Sequence, residues 1–293
     1  MRLKHLIPAT GLSVLLLVVP AFMYGQENKT EEKAKADNKP VKRTFENAVL
    51  IDNQTVEGPA KKSLDFIIQH RFGIIKDEKD IYGIFAPSNI RLGLNYGITD
   101  RISVAIGATK NKHLFDLQWK YIILKQTKSN SIPVSVAYYG NVAKSASDKD
   151  NFINQDEKYK WSNRISYFHE IMVARKITSH LSLQVAGTFS YFNIIDSLME
   201  HQNIGASFAG RYQFSPQSSV IVDFDYPITM PEINKPKPNL GLGFEISTSS
   251  HQFQIFVTTT ESIMDQETRV FNQHDFTKKE VLLGFNITRQ WGF

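Results

Sequence analysis

Val281, Leu283, Phe285, Ile287, Trp291 and Phe293 occupy alternating positions at the end of the chain, with Arg289 the only break. Side chains of a strand alternate between its two faces, so this row builds one apolar face that finishes in aromatic rings. In a membrane-spanning β-barrel such a face meets lipid, and its terminal aromatics sit at the membrane–water interface. An edge strand of a soluble sheet could carry the same row once. The rest of the chain has to decide between the two.

The opposite end carries an address. Arg2 and Lys4 precede an apolar run from Leu12 to Val19, followed by Pro20, Ala21 and Gly25 before the polar Gln26. This is the layout of a secretory signal peptide, residues 1–25, with cleavage expected after Gly25. The run falls short of the ~20 residues that a spanning helix needs. Setting aside the two cations of the leader from the 34 Lys and Arg leaves 32 against 29 Asp and Glu, a mature net charge of +3. That balance gives no clustered basic face for nucleic acid. The absence of cysteine excludes disulfides, thiolate metal sites, a cysteine nucleophile and a lipidated amino-terminal Cys. Residues 26–62 are polar and read as a periplasmic lead-in. The patch Phe45 to Ile51 stands apart, either as a short strand or as a piece tucked into a barrel mouth.

Residues 63–293 divide into about twelve alternating segments: 63–75, 89–98, 101–109, 113–124, 132–140, 163–175, 181–192, 202–214, 218–227, 239–247, 252–259 and 280–291. Many approach the ~9 to 11 residues that cross a membrane at a tilt. Ile90, Leu92, Leu94 and Tyr96 alternate with Arg91, Gly93, Asn95 and Gly97, and Val220, Val222, Phe224 and Tyr226 flank Asp223 and Asp225. Even-numbered segments end in tight turns, whereas odd-numbered ones, apart from 110–112, lead into long polar loops. A membrane barrel sorts its connections this way, with short turns in the periplasm and long loops outside. The expected fold is all-β, a single antiparallel transmembrane barrel of about twelve strands in the outer membrane, both chain ends periplasmic. Its partners are the lipid bilayer, the barrel-assembly machinery acting through the strand that ends in Phe293, and a periplasmic partner of unknown kind.

With the apolar face turned to lipid, the lumen receives Asp65, Gln69, Arg71, Arg91, Asn95, Asp116, Gln118, Lys120, Glu170, Gln184, Arg211, Asp223, Asp225, Glu245, Gln254 and Asn286. Opposite charges in a narrow space pair, because an unpaired buried charge is costly. The set supports a narrow, mixed-charge channel or solute-binding barrel. It equally supports a sealed structural or docking barrel whose pairs only fill the interior. Arg71, in the string His70-Arg71-Phe72-Gly73, either holds an anionic group or pairs with a luminal acid. A lipid-active hydrolase is a third reading, yet Ser166 and His169 are three apart on one strand and face opposite sides, and no Gly-x-Ser-x-Gly elbow occurs. The chain is therefore expected not to be an enzyme. Neither a His-Glu-x-x-His string nor a calcium-loop spacing around Asp148, Asp150, Asn154, Asp156 and Glu157 is present, so no metal or cofactor is expected.

Several short strings carry a family likeness: Gln54-Thr55-Val56-Glu57, then Leu64, Phe66 and Ile68 running into His70-Arg71-Phe72-Gly73, then Ile90-Arg91-Leu92-Gly93, Tyr96-Gly97-Ile98-Thr99-Asp100 and Lys120-Tyr121. Together they resemble a bacterial family of membrane-bound β-barrel domains of unknown function, most closely over residues 45–140. The stretch Gly83-Ile84-Phe85-Ala86-Pro87 lacks the Asp that the family often carries there. The resemblance implies the barrel and its outer-membrane location, and supplies no activity, substrate or catalytic residue. Deleting Phe293, or replacing it with a charged residue, is expected to lower the amount of folded barrel recovered from membranes. Unchanged yield would count against a role for this terminus in insertion.

Overall fold

The computed structural model describes residues 37–75, 79, 83–153, 159–195 and 199–293. The expected leader, residues 1–25, lies outside the described residues, as does the lead-in up to residue 36. Among the described residues, fourteen strands form two sheets. Val49–Leu50 (β1) and Asn53–Gln54 (β2) make a small hairpin. The other twelve close into a barrel: Ser63–Ile74 (β3), Asn89–Gly97 (β4), Ile102–Thr109 (β5), Leu114–Leu124 (β6), Ser135–Ser145 (β7), Ile165–Lys176 (β8), Leu181–Phe192 (β9), Gln202–Gln213 (β10), Ser218–Pro227 (β11), Asn239–Ser247 (β12), His251–Thr258 (β13) and Leu282–Gly292 (β14). Every strand pairs antiparallel with its sequence neighbours. The barrel closes where β14 meets β3, as in the pair Ile287↔Ile68. Closure leaves no free edge, which is the condition for a sheet to stand in lipid.

Alternation sets the two surfaces. Along β4, Leu92, Leu94 and Tyr96 are exposed while Arg91, Asn95 and the glycines between are buried. The outer surface carries exposed Ile106, Phe115, Leu117, Ile171, Ile204, Leu242, Phe244 and Ile255, an apolar belt that only a bilayer covers at no cost. Tyr121, Tyr212, Tyr226, Trp291 and Phe293 stand near strand ends on the same surface. The membrane-spanning length is thus reached with strands of 8 to 12 residues.

Most strand boundaries fall where the alternation puts them, and β7 is the main exception. The sequence reading ends this strand at 140 and begins a long loop there. The strand instead runs on to Ser145, paired through Leu114↔Ser145 with β6. Asn141 is buried, and the Trp119 ring lies over Gly140, where an added Cβ would come within 2.3 Å of Cζ2. The glycine is a packing position for a cross-strand aromatic, not a stop.

The lead-in has a course that its composition does not suggest. Residues 39–41 run along the β6–β7 turn, where Pro40 bridges Thr127 and the Val41 N–H donates to the Gln126 carbonyl at 2.9 Å. The chain then enters the barrel, and Thr44, Phe45 and Asn47–Val56 are buried. It turns at Ile51-Asp52 and returns to the rim, where the Lys62 N–H donates to Gly97 and the Phe293 N–H to Lys62. On the other side the loop from Thr259 to Val281 folds inward, and its helical turn Asp265–Thr268 is buried. The barrel is filled from both ends.

The topology predicts distinct labelling of the two faces. A cysteine at Asp150, an exposed position in the β7–β8 loop, should react with an impermeant thiol reagent on intact cells, and one at Gln217, exposed in the β10–β11 turn, should not. The reverse pattern would overturn the assignment of inside and outside.

Candidate functional site

The lumen is where the polar residues converge, and the hairpin is what they converge on. Asp65, Gln69, Arg71, Arg91, Asn95, Asp116, Lys120, Glu170, Arg211, Asp223, Asp225 and Glu245 are all buried. Most fall into wall-to-wall pairs and wall-to-hairpin anchors, while Asp225 pairs with the long loop and Glu170, among the described residues, accepts only from Ser207, at 3.2 Å. Within the wall, Arg91 forks onto Asp116 through Nε at 3.0 Å and Nη2 at 2.6 Å, and its Nη1 donates to Gln69 at 3.2 Å. Gly93 and Gly107 make room for this guanidinium, since a Cβ at Gly107 would lie 2.3 Å from its Nη2. Arg211 Nε donates to Glu245 at 2.7 Å, and its Nη2 reaches Glu46 of the hairpin's entry at 3.2 Å. Near the rim Asp65 accepts from Gln290 at 3.0 Å.

Arg71 is the main anchor. Its Nε and Nη2 donate to Asp52 Oδ1 at 3.0 and 2.7 Å, Nη2 also reaches the Ile51 carbonyl at 3.0 Å, and Nη1 donates to Asn286 at 3.0 Å. Both side chains of this ion pair are 0 % exposed. The guanidinium also stacks 4.5 Å over the Phe256 ring. Of the two sequence alternatives for Arg71, the described structure displays the pairing, though the acid comes from the lead-in and not from another wall strand. The other Asp52 oxygen accepts from Thr258 at 2.7 Å, and the Asp52 N–H donates to Asp223 at 2.9 Å.

Side-chain amides replace the missing strand neighbours of the hairpin. Gln254 accepts from the Ile51 N–H at 3.1 Å and donates to the Val49 carbonyl at 3.1 Å. Gln184 does the same on the other leg, accepting from Val56 at 3.0 Å and donating to Gln54 at 2.7 Å. Lys120 spends its ammonium on three carbonyls, those of Ala48, Thr55 and Glu57, at 3.1, 2.8 and 2.9 Å. Backbone groups buried without such partners would each cost on the order of 1–3 kcal/mol. Ile51 adopts φ 53°, a left-handed conformation that a β-branched residue rarely takes. Its carbonyl is clamped by Arg71 and Asn286. Gly241 lets this tip approach, because a Cβ there would lie 2.0 Å from Asp223 Oδ1 and 2.8 Å from Ile51 Cγ2.

The interior is not polar throughout, and here the picture of a mixed-charge lumen is incomplete. Phe45, Leu50, Ile51 and Val56 of the hairpin pack with inward-facing Tyr139, Phe168, Met172, Ile221 and Phe256 in one apolar cluster. These wall residues stand at positions that the alternation assigns to polar side chains. They face the plug, not water.

The loop from the outer side locks the tip. Arg269 pairs with Asp225 at 2.8 Å and also donates to Asn53 of the hairpin. Asp265 accepts from Tyr139 at 2.7 Å and from Gln54 at 3.4 Å. Burial pushes the Asp265 carboxyl above its ordinary range, against the Tyr139 hydrogen bond and the charges of Arg269 and Arg91, which pull it down. Asp52, Asn53, Tyr139, Asp265 and Arg269 are therefore site residues absent from the sequence-derived set. Only Phe45 to Ile51 gave a signal. The polar string from Asp265 to Arg269 reads as an ordinary external loop.

Beside Lys120 and Tyr139 the remaining space amounts to about 10 Å³, at the lower bound for a single water. Larger cavities lie at the rims, about 160 Å³ between Arg43, Gly58 and Lys125 at the rim of short turns and about 460 Å³ between Phe152, Phe192, Met199 and Phe271 at the rim of long loops. Among the described residues, no group of three or more His, Asp or Glu side chains is arranged to hold a metal ion.

Comparison with known proteins follows the architecture. The family model described as Membrane bound beta barrel domain (DUF5777) matches residues 45–291. None of the curated proteins compared matches the chain. Among solved structures, the KdgM porin aligns over 79% of this chain and 99% of its own at 9% identity and a TM-score of 0.45. The outer-membrane expressed OmpT of Vibrio cholerae aligns over 78% and 96% at 11% identity and a TM-score of 0.39. Salmonella typhi OmpF, in complex with daunomycin, aligns over 78% and 96% at 7% identity and a TM-score of 0.39.

The Arg71–Asp52 pair generates a stability prediction. Arg71→Met or Asp52→Ala alone leaves a buried charge without its partner and should cost about 3–5 kcal/mol. The double variant should lose clearly less than the two single losses added, because it strands no charge. Denaturant unfolding of the detergent-solubilised barrel measures all three, and additive losses would refute the pair as an anchor.

Proposed function

We propose, from the premise that this chain belongs to the Membrane bound beta barrel domain family and resides in the outer membrane, that the barrel is closed by its own amino-terminal hairpin and serves as a membrane-embedded mount for a docking partner. The observation that carries this reading is the insertion of residues 44–57 into the lumen, with the Asp52 carboxylate on Arg71 and three backbone carbonyls on Lys120. An open pore would leave these cations to water and solute. Here each has a protein partner, and the space beside Lys120 is about 10 Å³. The luminal charges, including Asp65, Glu170, Arg211 and Glu245, then act in fixing the plug and the wall and not in binding a solute. The strand ending in Phe293 would serve as the segment by which the assembly machinery takes the chain.

A channel is the second reading, favoured by the polarity of the inward face. Asp223, Asp225, Gln184, Gln254 and Asn286 would all be wetted if the hairpin withdrew. Both legs leave at the same rim, so it could withdraw as one piece. Conductance in a planar bilayer separates the two. The intact mature protein should give no steady conductance, and a variant lacking Glu46–Val56 should conduct. Steady conductance of the intact protein would sink the closed-barrel reading in favour of a channel.

A further inference from the structure

The rim of short turns, periplasmic in this reading, is basic along a single arc. The ingoing chain brings Lys39, Lys42 and Arg43, all exposed, and the outgoing chain brings exposed Lys61 and Lys62. The β4–β5 turn adds Arg101, the β6–β7 turn Lys125 and Lys128, and the end of β8 Lys176. Acids in this arc are few. Asp37 pairs with Lys128 at 3.3 Å, Asp100 accepts from the Lys61 N–H, and Glu57 accepts from the Thr44 N–H. Among the described residues, Lys42, Lys61, Lys62 and Lys125 have no carboxylate within ion-pair distance. Across the mouth, the β10–β11 turn reads Phe214-Ser215-Pro216-Gln217 and the β12–β13 turn Thr248-Ser249-Ser250, with no charge in either.

Resting on the docking reading above, we infer that this arc is the seat of an acidic, extended segment of a periplasmic protein. Two features select a protein partner over lipid headgroups. Lipid surrounds a barrel on every side, so a belt built for anionic headgroups would carry clustered cations right round the rim, whereas the β8–β9, β10–β11 and β12–β13 turns hold no Lys or Arg and Arg289, at the end of β14, stands apart from the arc, bonded to His251 at 3.0 Å. The backbone that carries the cations at 42 and 43 also lies over the mouth, inward of the wall, since Lys176 Nζ donates to the Lys42 and Arg43 carbonyls at 3.2 and 3.4 Å. Headgroups outside the barrel do not reach that place. Between the ingoing and outgoing chain lies the cleft of about 160 Å³, wide enough for one side chain of a bound segment; Arg43 and Lys125 edge it together with Glu57 and Asp100, whose carboxylates accept from the Thr44 and Lys61 N–H groups. Clustered exposed cations attract such a segment at long range and fix its side of approach. The seat touches the chain at the point where it enters the lumen, so a bound partner holds the base of the plug.

The test uses the full mature protein in phosphatidylcholine nanodiscs and a fluorescein-labelled poly-glutamate peptide, read by anisotropy. Saturable binding at about 0.05 M salt, weakened roughly tenfold or more at about 0.3 M, is expected for a charge-driven seat. The triple variant Arg101→Ser/Lys125→Ser/Lys128→Ser should weaken binding at least as much, and Ser215→Ala/Ser249→Ala on the neutral arc should leave it unchanged. Heat-modifiable migration of each variant confirms that the barrel is folded, so a loss of binding reports the surface. Absence of saturable binding at low salt, or equal binding by the triple variant, overturns the inference. So does a protein that ignores the peptide yet enriches phosphatidylglycerol in mixed nanodiscs, which would assign the arc to lipid. Conductance of the same protein in a planar bilayer keeps the two readings apart: a silent barrel that binds no acidic peptide refutes the seat alone, whereas a conducting one refutes the closed barrel.

Discussion

Everything inside this barrel depends on the requirement that a charge withdrawn from water must find a partner. Closing twelve strands turns a row of Arg, Lys, Asp and Glu side chains into a space a few side chains wide, where an unpaired ion is heavily penalised. Some of the wall residues solve this among themselves, as Arg91 and Asp116 do. Arg71 and Lys120 do not. Their partners are Asp52 and the carbonyls of a segment that precedes the first wall strand. The hairpin in turn has backbone groups that no strand neighbour satisfies, and Gln184 and Gln254 supply what it lacks. Plug and wall are complementary in hydrogen bonds, in charge and in the apolar cluster around Phe168 and Phe256.

The plug is also reached from the other side of the membrane. Arg269 and Asp265, on the loop that joins the last two strands, touch Asn53 and Gln54 at the tip. The hairpin's base lies at the rim of short turns, against the β6–β7 turn. A single buried element therefore connects the outer loop to the periplasmic mouth, through contacts that are polar and specific at both ends. In the docking reading proposed above, that continuity would give a partner at one face a physical link to the other. It also places the burden of sealing on a few residues, not on the whole wall.

The fold was legible because membrane insertion writes itself into sequence twice, as period-two alternation and as the parity of loop lengths. Leu92, Leu94 and Tyr96 against Arg91 and Asn95 suffice to orient β4, and the same pattern repeats around the barrel. The strand β7 was cut short in the sequence reading because Gly140 packs under Trp119, a contact between neighbouring strands that a linear pattern does not display. The inward positions of the luminal charges follow from the same alternation. What filled the lumen did not. Asp52 looks like a turn residue in a polar lead-in, and Asp265 and Arg269 look like an external loop, since burial by enclosure leaves no periodic mark. Phe168, Met172 and Phe256 stand apolar at inward positions, a signal that the sequence reading did not use, and Phe45 to Ile51 was read only as a short strand or a piece tucked into a barrel mouth.

Hydrogen–deuterium exchange of the intact protein in detergent tests the central claim most directly, because amides buried in the lumen and bonded to wall side chains open only when the plug leaves. Amides of Ile51, Asp52 and Val56 should be protected about as strongly as those of β3 and β11, while the exposed loop Glu232–Lys235 exchanges at once. Exchange across residues 44–57 as fast as in that loop would contradict the account, since it would place the hairpin outside the barrel.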